Sequence, residues 1–432
     1  MATLFDAYME EVARTEWLPP RALASYQQQL LARLVCHAHD HLPFYADRLS
    51  CLFTADDKVD LSRWNEVPFL TRDDVTRHGP SLRIANLPAD HGEVAERRTS
   101  GSTGVPLQIA TTGTLFFVAS ALLTRAARRF GMDTSRPLAV IGRFAEDPPD
   151  PERVKTGWSY ADPTAPFYEI ELTTPVEAQI EWLSRRRAPY LHTHPSGALA
   201  IAHALTPAAG HALGIEKVLM NGETVPEGAR EFIAARLGAR AVAIYSCQEV
   251  GHIASECEAA PHYHVAAENV LVEIVDDRGR DVAPGERGRV VVTGLYNYAM
   301  PFIRYELGDI AVAGTGPCRC GRTLPVITRI DGRTRNAFLF RDGTRMWPRT
   351  SMIRAMQPYV PFRRFQMVQL DFEKIELRYV ADGSGRRPDV RALNDHARRV
   401  IHPSVEVSAV EIDALTPGPS GKFEEFISHV AR

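Results

Sequence analysis

A chain of 432 residues is too long for one ordinary hydrophobic core, so two or more packed units are expected. With 45% hydrophobic and 24% charged residues and a formal net charge of -3, it reads as a globular protein with no charge excess to recruit nucleic acid or an anionic membrane surface. No run approaches the roughly 20 uninterrupted apolar residues of a membrane span, and Met1 to Ser25 carries acids where a signal peptide would be apolar. A cytoplasmic protein with no membrane partner is therefore expected.

In chain order, apolar residues at helical spacing through Leu23, Leu30, Leu31 and Leu34 predict helix up to about Leu49, with a stop at Pro43. Helix is predicted again over Leu115–Phe130, Pro175–Arg187 and Gly228–Leu237. Strands are predicted at Leu138–Ile141, Lys217–Met220 and Ala241–Tyr245. This alternation predicts an α/β fold with parallel strands and crossover helices. From Val270 the texture changes to short β runs at Val270–Val275, Arg289–Thr293 and Asp309–Ala313, an antiparallel β subdomain. A small α+β domain follows, with strands at Phe365–Leu370, Ile375–Val380 and Val405–Ile412 around a helix at Val390–Val400. The Gly-Arg-Thr-Arg turn near Arg333 separates these textures, which gives domains at 1–333 and 334–432. The long apolar N-terminal helices are compatible with a homodimer.

Thr99-Ser100-Gly101-Ser102-Thr103-Gly104, closed by Val105-Pro106, carries the most chemical information. Glycines let backbone N–H groups approach an anion, and the hydroxyls add donors that can follow phosphate oxygens. No Gly-Lys-Ser/Thr follows, so it is not a Walker A loop. Downstream, in fixed order, come Asn221-Gly222-Glu223, Tyr245-Ser246-Cys247-Gln248-Glu249, Met300 to Asp309, Cys320-Gly321-Arg322, Ile330-Asp331-Gly332-Arg333 and Ser420-Gly421-Lys422. Of 50 Lys plus Arg only five are lysines, so a lysine in a Ser-Gly-Lys turn stands out in a chain whose default cation is arginine.

This series resembles the adenylate-forming superfamily of acyl-CoA synthetases, most closely its phenylacetate-CoA ligase branch, from Phe44-Tyr45 to Lys422. The resemblance implies a large adenylation domain and a mobile C-terminal domain that carries the catalytic lysine. It implies a two-step reaction: a carboxylate attacks the α-phosphorus of ATP to give an acyl-adenylate and pyrophosphate, and a nucleophile then displaces AMP. Thr99 to Gly104 would cradle the β- and γ-phosphates, and Glu249 would hold Mg²⁺, a hard cation suited to a carboxylate. Tyr245, beside Ser246, would stack on adenine, with Gly222 and Glu223 lining that side. Asp309 would accept hydrogen bonds from both ribose hydroxyls, and Arg333 would lie near ribose or phosphate. Arg304 could equally be a structural ion-pair partner. Lys422 would meet the charge that develops during attack on phosphorus, a task for a compact ammonium.

Cys257, His264, Cys318 and Cys320 form a further set. On spacing alone they read as reduced structural side chains, since C-x-C is a weaker metal pattern than C-x-x-C. The branch carries matching cysteines and a histidine, which implies a structural zinc.

The chain also departs from the branch. The glycine-rich acyl-pocket stretch is missing between the phosphate loop and Pro195-Ser196, so acyl specificity does not transfer. Ile141–Tyr168, with the aromatics Phe144, Trp158, Tyr160, Phe167 and Tyr168, is together with the Tyr245 strand end the expected pocket, for an aryl or small hydrophobic acid. Ser246 replaces the usual glycine. Arg335-Asn336 replaces the usual acidic pair at the hinge, and Glu424-Glu425 replaces basic residues after Lys422, acids that would oppose the phosphates of CoA. The expected acceptor is CoA, with an amine, a carrier protein or another small acceptor as the alternative. A non-catalytic nucleotide-binding homologue is the reading from another class.

Overall fold

The computed structural model describes residues 2–84, 87, 91–98, 107–144, 152–415 and 423–430. The Thr99–Gly104 loop and Lys422 lie outside the described residues, as does 145–151 of the expected acyl-pocket stretch. Contacts divide the chain into two units, 1–222 with 230–330 and 223–229 with 331–432. Residues 223–229, placed with the first domain by their sequence position, thus cluster with the second.

The first unit opens with helices α1 (Ala2–Thr15), α2 (Pro20–His41), α3 (Pro43–Leu49) and α4 (Arg72–His78). Pro20 and Pro43 stand at the first turns of α2 and α3, where a missing N–H costs nothing, so the prolines punctuate the helical region into separate rods. Strands β1 (Val94–Arg98) and β2 (Gln108–Thr112) pair antiparallel. Helix α5 (Gly113–Arg129) starts where the Thr112 hydroxyl accepts the Leu115 N–H, at 3.2 Å.

Then follow β3 (Leu138–Gly142), β4 (Glu152–Thr156), β5 (Pro166–Glu171), α6 (Val176–Arg186), β6 (Tyr190–Thr193), α7 (Pro195–Ala204), α8 (Pro207–His211), β7 (Lys217–Met220), α9 (Ala229–Leu237) and β8 (Arg240–Cys247). Strands β9 (Gly251–Glu256), β10 (Tyr263–Val265), β11 (Val270–Val275), β12 (Arg287–Gly294), β13 (Tyr305–Ala313) and β14 (Val326–Arg333) complete one twelve-stranded sheet, ordered β11-β12-β13-β14-β10-β9-β8-β7-β6-β3-β5-β4. The expected antiparallel subdomain is thus continuous with the parallel half rather than separate from it. Strands β5, β3, β6, β7 and β8 run parallel, and the pairing turns antiparallel at β9.

On one face of the parallel half, Leu138, Tyr190, Leu219, Val242 and Ile244 pack under Ala126, Ala127 and Phe130 at the end of α5. On the antiparallel half, Leu31, Leu34 and Val35 of α2 and Tyr45 of α3 pack with Val290, Val292, Phe302 and Tyr305.

Arg304 joins the N-terminal segment to the sheet. It is 2% exposed, with φ +48°, and its guanidinium donates to both oxygens of Glu273 (2.8 and 3.3 Å) and to the carbonyls of Asn65 and Val67 (3.1 and 2.7 Å). The Phe69 ring covers it at 4.4 Å. The rest of this run is tied down as well, because Leu70 N–H donates to Arg304 O and Glu306 N–H to Leu70 O, both at 2.9 Å. Of the two readings left open for Arg304, the structural one holds.

The second unit is a four-stranded sheet, ordered β19-β18-β17-β20, with β17 (Phe362–Gln369), β18 (Lys374–Ala381), β19 (Glu406–Glu411) and β20 (Phe426–Ser428). A small β15 (Phe338–Leu339) and β16 (Arg345–Met346) pair and the short α10 (Thr350–Arg354) precede it, and α11 (Val390–Val400) packs Leu393 and Ala397 on Leu377 and Val407. The chain just beyond Lys422 is held firmly. Phe423 N–H donates to Glu223 Oε1 (3.0 Å), Gln366 Nε2 to Glu424 O (2.9 Å), and Met367 N–H to Glu425 O (2.8 Å). Arg335 pairs with Glu424. The reversed charges at the hinge and after Lys422 are therefore two halves of one ion pair.

Removing Arg304 should leave Glu273 buried and unpaired. Arg304→Ala should lower unfolding free energy by about 3–5 kcal/mol. Arg304→Met with Glu273→Met should lose far less than the sum of the single changes, measured by denaturant titration.

Candidate nucleotide and metal sites

The end of β8 gathers several of the expected nucleotide residues. Tyr245 and Ser246 straddle a register shift against β9, where Tyr245 faces Ala254 and Ser246 faces His252. A bulge re-aims side chains at the end of a strand, and this one lies where serine replaces the usual glycine. Glu249, 7% exposed, lies in the turn from β8 to β9. Burial, and then the Glu249 carboxylate, push the Cys247 thiol well above its ordinary range, so Cys247 is an inert neighbour there.

Asp309 comes to the same place from the far half of the sheet. The Tyr245 hydroxyl donates to Asp309 Oδ2 at 2.6 Å, although β8 and β13 are separated by β9, β10 and β14. The antiparallel half must curl for this, helped by the shift between Arg289 and Val291 where β12 meets β13, and by Gly308 at φ +79°. Asp309 is 6% exposed, so its carboxylate is presented in a sheltered position. A phenol edge and a carboxylate held together in this way can receive a planar base and a pair of vicinal hydroxyls.

Gly222 follows β7 with φ +79°, a conformation that favours glycine. Glu223 and Arg333 belong to the second unit. There, Glu223 accepts from Phe423, and Arg333 leads into the turn Thr334–Asn336.

The expected metal ligands do converge. One ligand atom each from Cys257, His264, Cys318 and Cys320 lies within 4.8 Å of the others. Cys257 Sγ and Cys318 Sγ are 3.6 Å apart, and Cys320 Sγ is 3.3 Å from His264 Nε2. Tetrahedral zinc bonds of about 2.0–2.3 Å require separations of this size. The backbone supports anionic sulfur, since Ala259 N–H points at Cys257 Sγ (3.3 Å) and Cys320 N–H at Cys318 Sγ (3.4 Å). Burial, with Arg129 and His262, lowers the His264 pKa to about 4, which keeps the imidazole neutral and ready to ligate. Burial raises the Cys318 thiol to about 12. A proton must therefore leave Cys318 when a metal binds.

Arginines flank the cluster. Arg322 donates through Nε to Glu16 (2.7 Å) and through a terminal nitrogen to Glu258 (2.7 Å), and Arg129 also pairs with Glu16.

Of the aromatics expected to line an acyl pocket, Trp158 and Phe167 share one core cluster, while Tyr160 and Tyr168 pack elsewhere. Trp158 is buried in the core with its Nε1–H on Arg136 O (2.9 Å), and Tyr160 packs against Phe5 and Phe117. Phe167 and Tyr168 are successive residues of β5 and so point to opposite faces; Phe167 packs on the core under α5, while Arg186 covers Tyr168.

Sequence reasoning missed Asn269, which is fully buried and donates to the carbonyls of Val250 (2.9 Å) and His252 (2.7 Å), clamping the turn that carries Glu249. It also missed Glu268, whose carboxylate takes Arg125 and Thr15 (both 2.5 Å). The available signal was a polar pair inserted between Ala266-Ala267 and the apolar run from Val270.

No protein-family model matches the chain. It is 28% identical over 351 residues to a phenylacetate-coenzyme A ligase of Thermus thermophilus, covering 77% of this chain and 75% of that one. It is 25% identical over 338 residues to a phenylacetate-coenzyme A ligase of Escherichia coli, covering 76% and 74%. Its fold matches a 2-hydroxyisobutyryl-CoA ligase in the postadenylation state with a TM-score of 0.72 at 18% identity, over 97% of this chain and 92% of that one. In sequence the chain is similar to the phenylacetate-CoA ligases, and its fold is that of the adenylate-forming acyl-CoA ligases.

Proposed function

We propose that the protein is an ATP-dependent, AMP-forming ligase that joins a carboxylic acid to CoA through an acyl-adenylate. The observation that carries this reading is the meeting of Tyr245 with Asp309 beside the Glu249 turn. A carboxylate oxygen attacks the α-phosphorus, the bond to the β-phosphate oxygen breaks, and pyrophosphate leaves. The CoA sulfur then attacks the acyl carbon, its proton is lost, and the acyl C–O bond breaks to release AMP.

Asp309 accepts from the ribose hydroxyls, Tyr245 faces adenine, and Thr99–Gly104 donates to the β- and γ-phosphates. The Glu249 carboxylate suits Mg²⁺, which when bound neutralises charge on the phosphate oxygens. Lys422 meets the charge that develops on the α-phosphate. The acids after Lys422 do not argue against CoA: Glu424 is paired with Arg335, and burial raises the pKa of Glu425, which accepts the Thr350 hydroxyl at 2.6 Å. ATP, CoA and reduced thiols meet in the cytoplasm, where we place the protein. Cys257, His264, Cys318 and Cys320 hold a structural zinc, every position filled by protein.

Exchange of pyrophosphate into ATP should require an added acid, favouring aryl and small acids over long fatty acids. Asp309→Ala should weaken ATP binding by about 1.5–3 kcal/mol, and Glu249→Ala should abolish Mg²⁺-dependent exchange with the fold intact. Wild-type kinetics in both variants would mean that the nucleotide binds elsewhere.

Lys422→Ala should lower exchange by ~10² to 10³ while converting supplied acyl-adenylate and CoA to thioester at near the normal rate. Equal loss in both assays would mean that Lys422 serves the fold or both steps, and unchanged exchange would remove it from the adenylation step.

Metal analysis of the purified protein should find about one zinc per chain, lost together with thermal stability in Cys257→Ser. Absence of zinc, with these cysteines reactive in the folded protein, would contradict the metal reading.

A further inference from the structure

The parallel half of the sheet has a point where its strand connections diverge. The chain leaves the carboxyl end of β3 toward β4 and β5 on one side, and leaves the carboxyl end of β6 toward β7 on the other. The crevice outside such a pair of strand ends is where open α/β sheets take their ligands. His192 lies at this point, on β6, in register with Val140 of β3 and Leu219 of β7. Tyr190, two residues before it, packs under α5, so by strand alternation His192 faces the same side. Its cross-strand neighbours on that face are apolar.

Asn221, just past β7, arranges the ring. Its side chain lies beside the His192 ring, and its backbone carbonyl accepts His194 Nδ1–H at 2.8 Å. His192 Nε2 is shut off from solvent and has no hydrogen-bond partner among the described residues. Nε2 is therefore the open position of the ring. Burial lowers the His192 pKa to about 4, so the ring is neutral and not a counter-ion for the substrate carboxylate. Stranding a buried polar nitrogen is costly unless a ligand completes it.

We propose that His192 sets acyl specificity, and that the acid this enzyme activates carries a hydroxyl or amino group that hydrogen-bonds to Nε2. This rests on the ligase reading and narrows its substrate from a plain hydrophobic acid to one with a hydrogen-bonding substituent. A site built for such a group rejects the analogue that lacks it, because the protein nitrogen is then left unpaired.

The test is pyrophosphate exchange with size-matched pairs: phenylacetate against 3- and 4-hydroxyphenylacetate, benzoate against 2- and 4-aminobenzoate, and isobutyrate against 2-hydroxyisobutyrate. The best substrate should be a substituted acid, ahead of its parent by roughly 10- to 100-fold in kcat/KM. His192→Phe should bring that ratio toward one, mainly through KM, and His192→Gln should retain part of it. If His192→Phe does not fold, the His192→Gln ratio and the Nε2 nitrogen chemical shift of wild-type His192 on adding the best acid decide the question. Parent acids equal to or better than substituted ones, or a ratio unchanged in the variants, would overturn the assignment and leave the ligase reading standing. No exchange with any acid would instead reject the ligase reading, and the assignment with it.

Discussion

Strand β8 has to satisfy two opposite pairing patterns, parallel to β7 along its first half and antiparallel to β9 along its second, and the candidate nucleotide site follows from that constraint. A strand that changes pairing mode cannot keep one regular ladder to its end. It shifts register between Tyr245 and Ser246 and turns tightly through Glu249. Asn269 holds this turn, and the curl of the antiparallel half brings Asp309 to the Tyr245 hydroxyl. The fold thereby brings together residues that lie 64 positions apart in the chain.

Buried charge sets the limits of this architecture. Arg304 with Glu273 fixes the segment around Trp64–Leu70 to the sheet, and Arg125 with Glu268 and Thr15 fixes the end of α1. Glu16, the residue after α1, takes both Arg129 and Arg322, and the Arg322 loop also carries Cys318 and Cys320. The cysteine–histidine cluster and the first helix are therefore anchored to the same turn. Buried pairs of this kind add little net stability over apolar packing, but breaking one leaves a stranded charge, so they constrain which arrangement the chain can adopt.

The α/β alternation and the small C-terminal sheet were legible because their strands and helices show clear hydrophobic periods. Val270–Val275 and Val390–Val400 have the predicted bounds. Strands β4, β5 and β6 were not read. The exposed β4 alternates weakly, and Tyr190–Thr193 is too short to show a period. The cysteine–histidine set was legible as residues, though only the β9–β10 pairing and the loop before β14 show that they meet. Arg304 was ambiguous because its partner Glu273 lies on another strand, and His192 passed unnoticed because a lone histidine carries no signal until its neighbours in register are known. The reversed charges at Arg335 and Glu424 looked like two departures, but in three dimensions they compensate one another.

The proposed reaction turns on a bond between the acid's own oxygen and the α-phosphorus of ATP. The most direct measurement is to run the full reaction with a carboxylic acid labelled with ¹⁸O in both carboxylate oxygens, ATP and CoA, and to weigh the nucleotide and phosphate products by mass spectrometry. The account predicts one ¹⁸O in AMP, none in pyrophosphate, and a thioester that keeps the other. Label in inorganic phosphate with ADP as co-product, or unlabelled AMP, would contradict it.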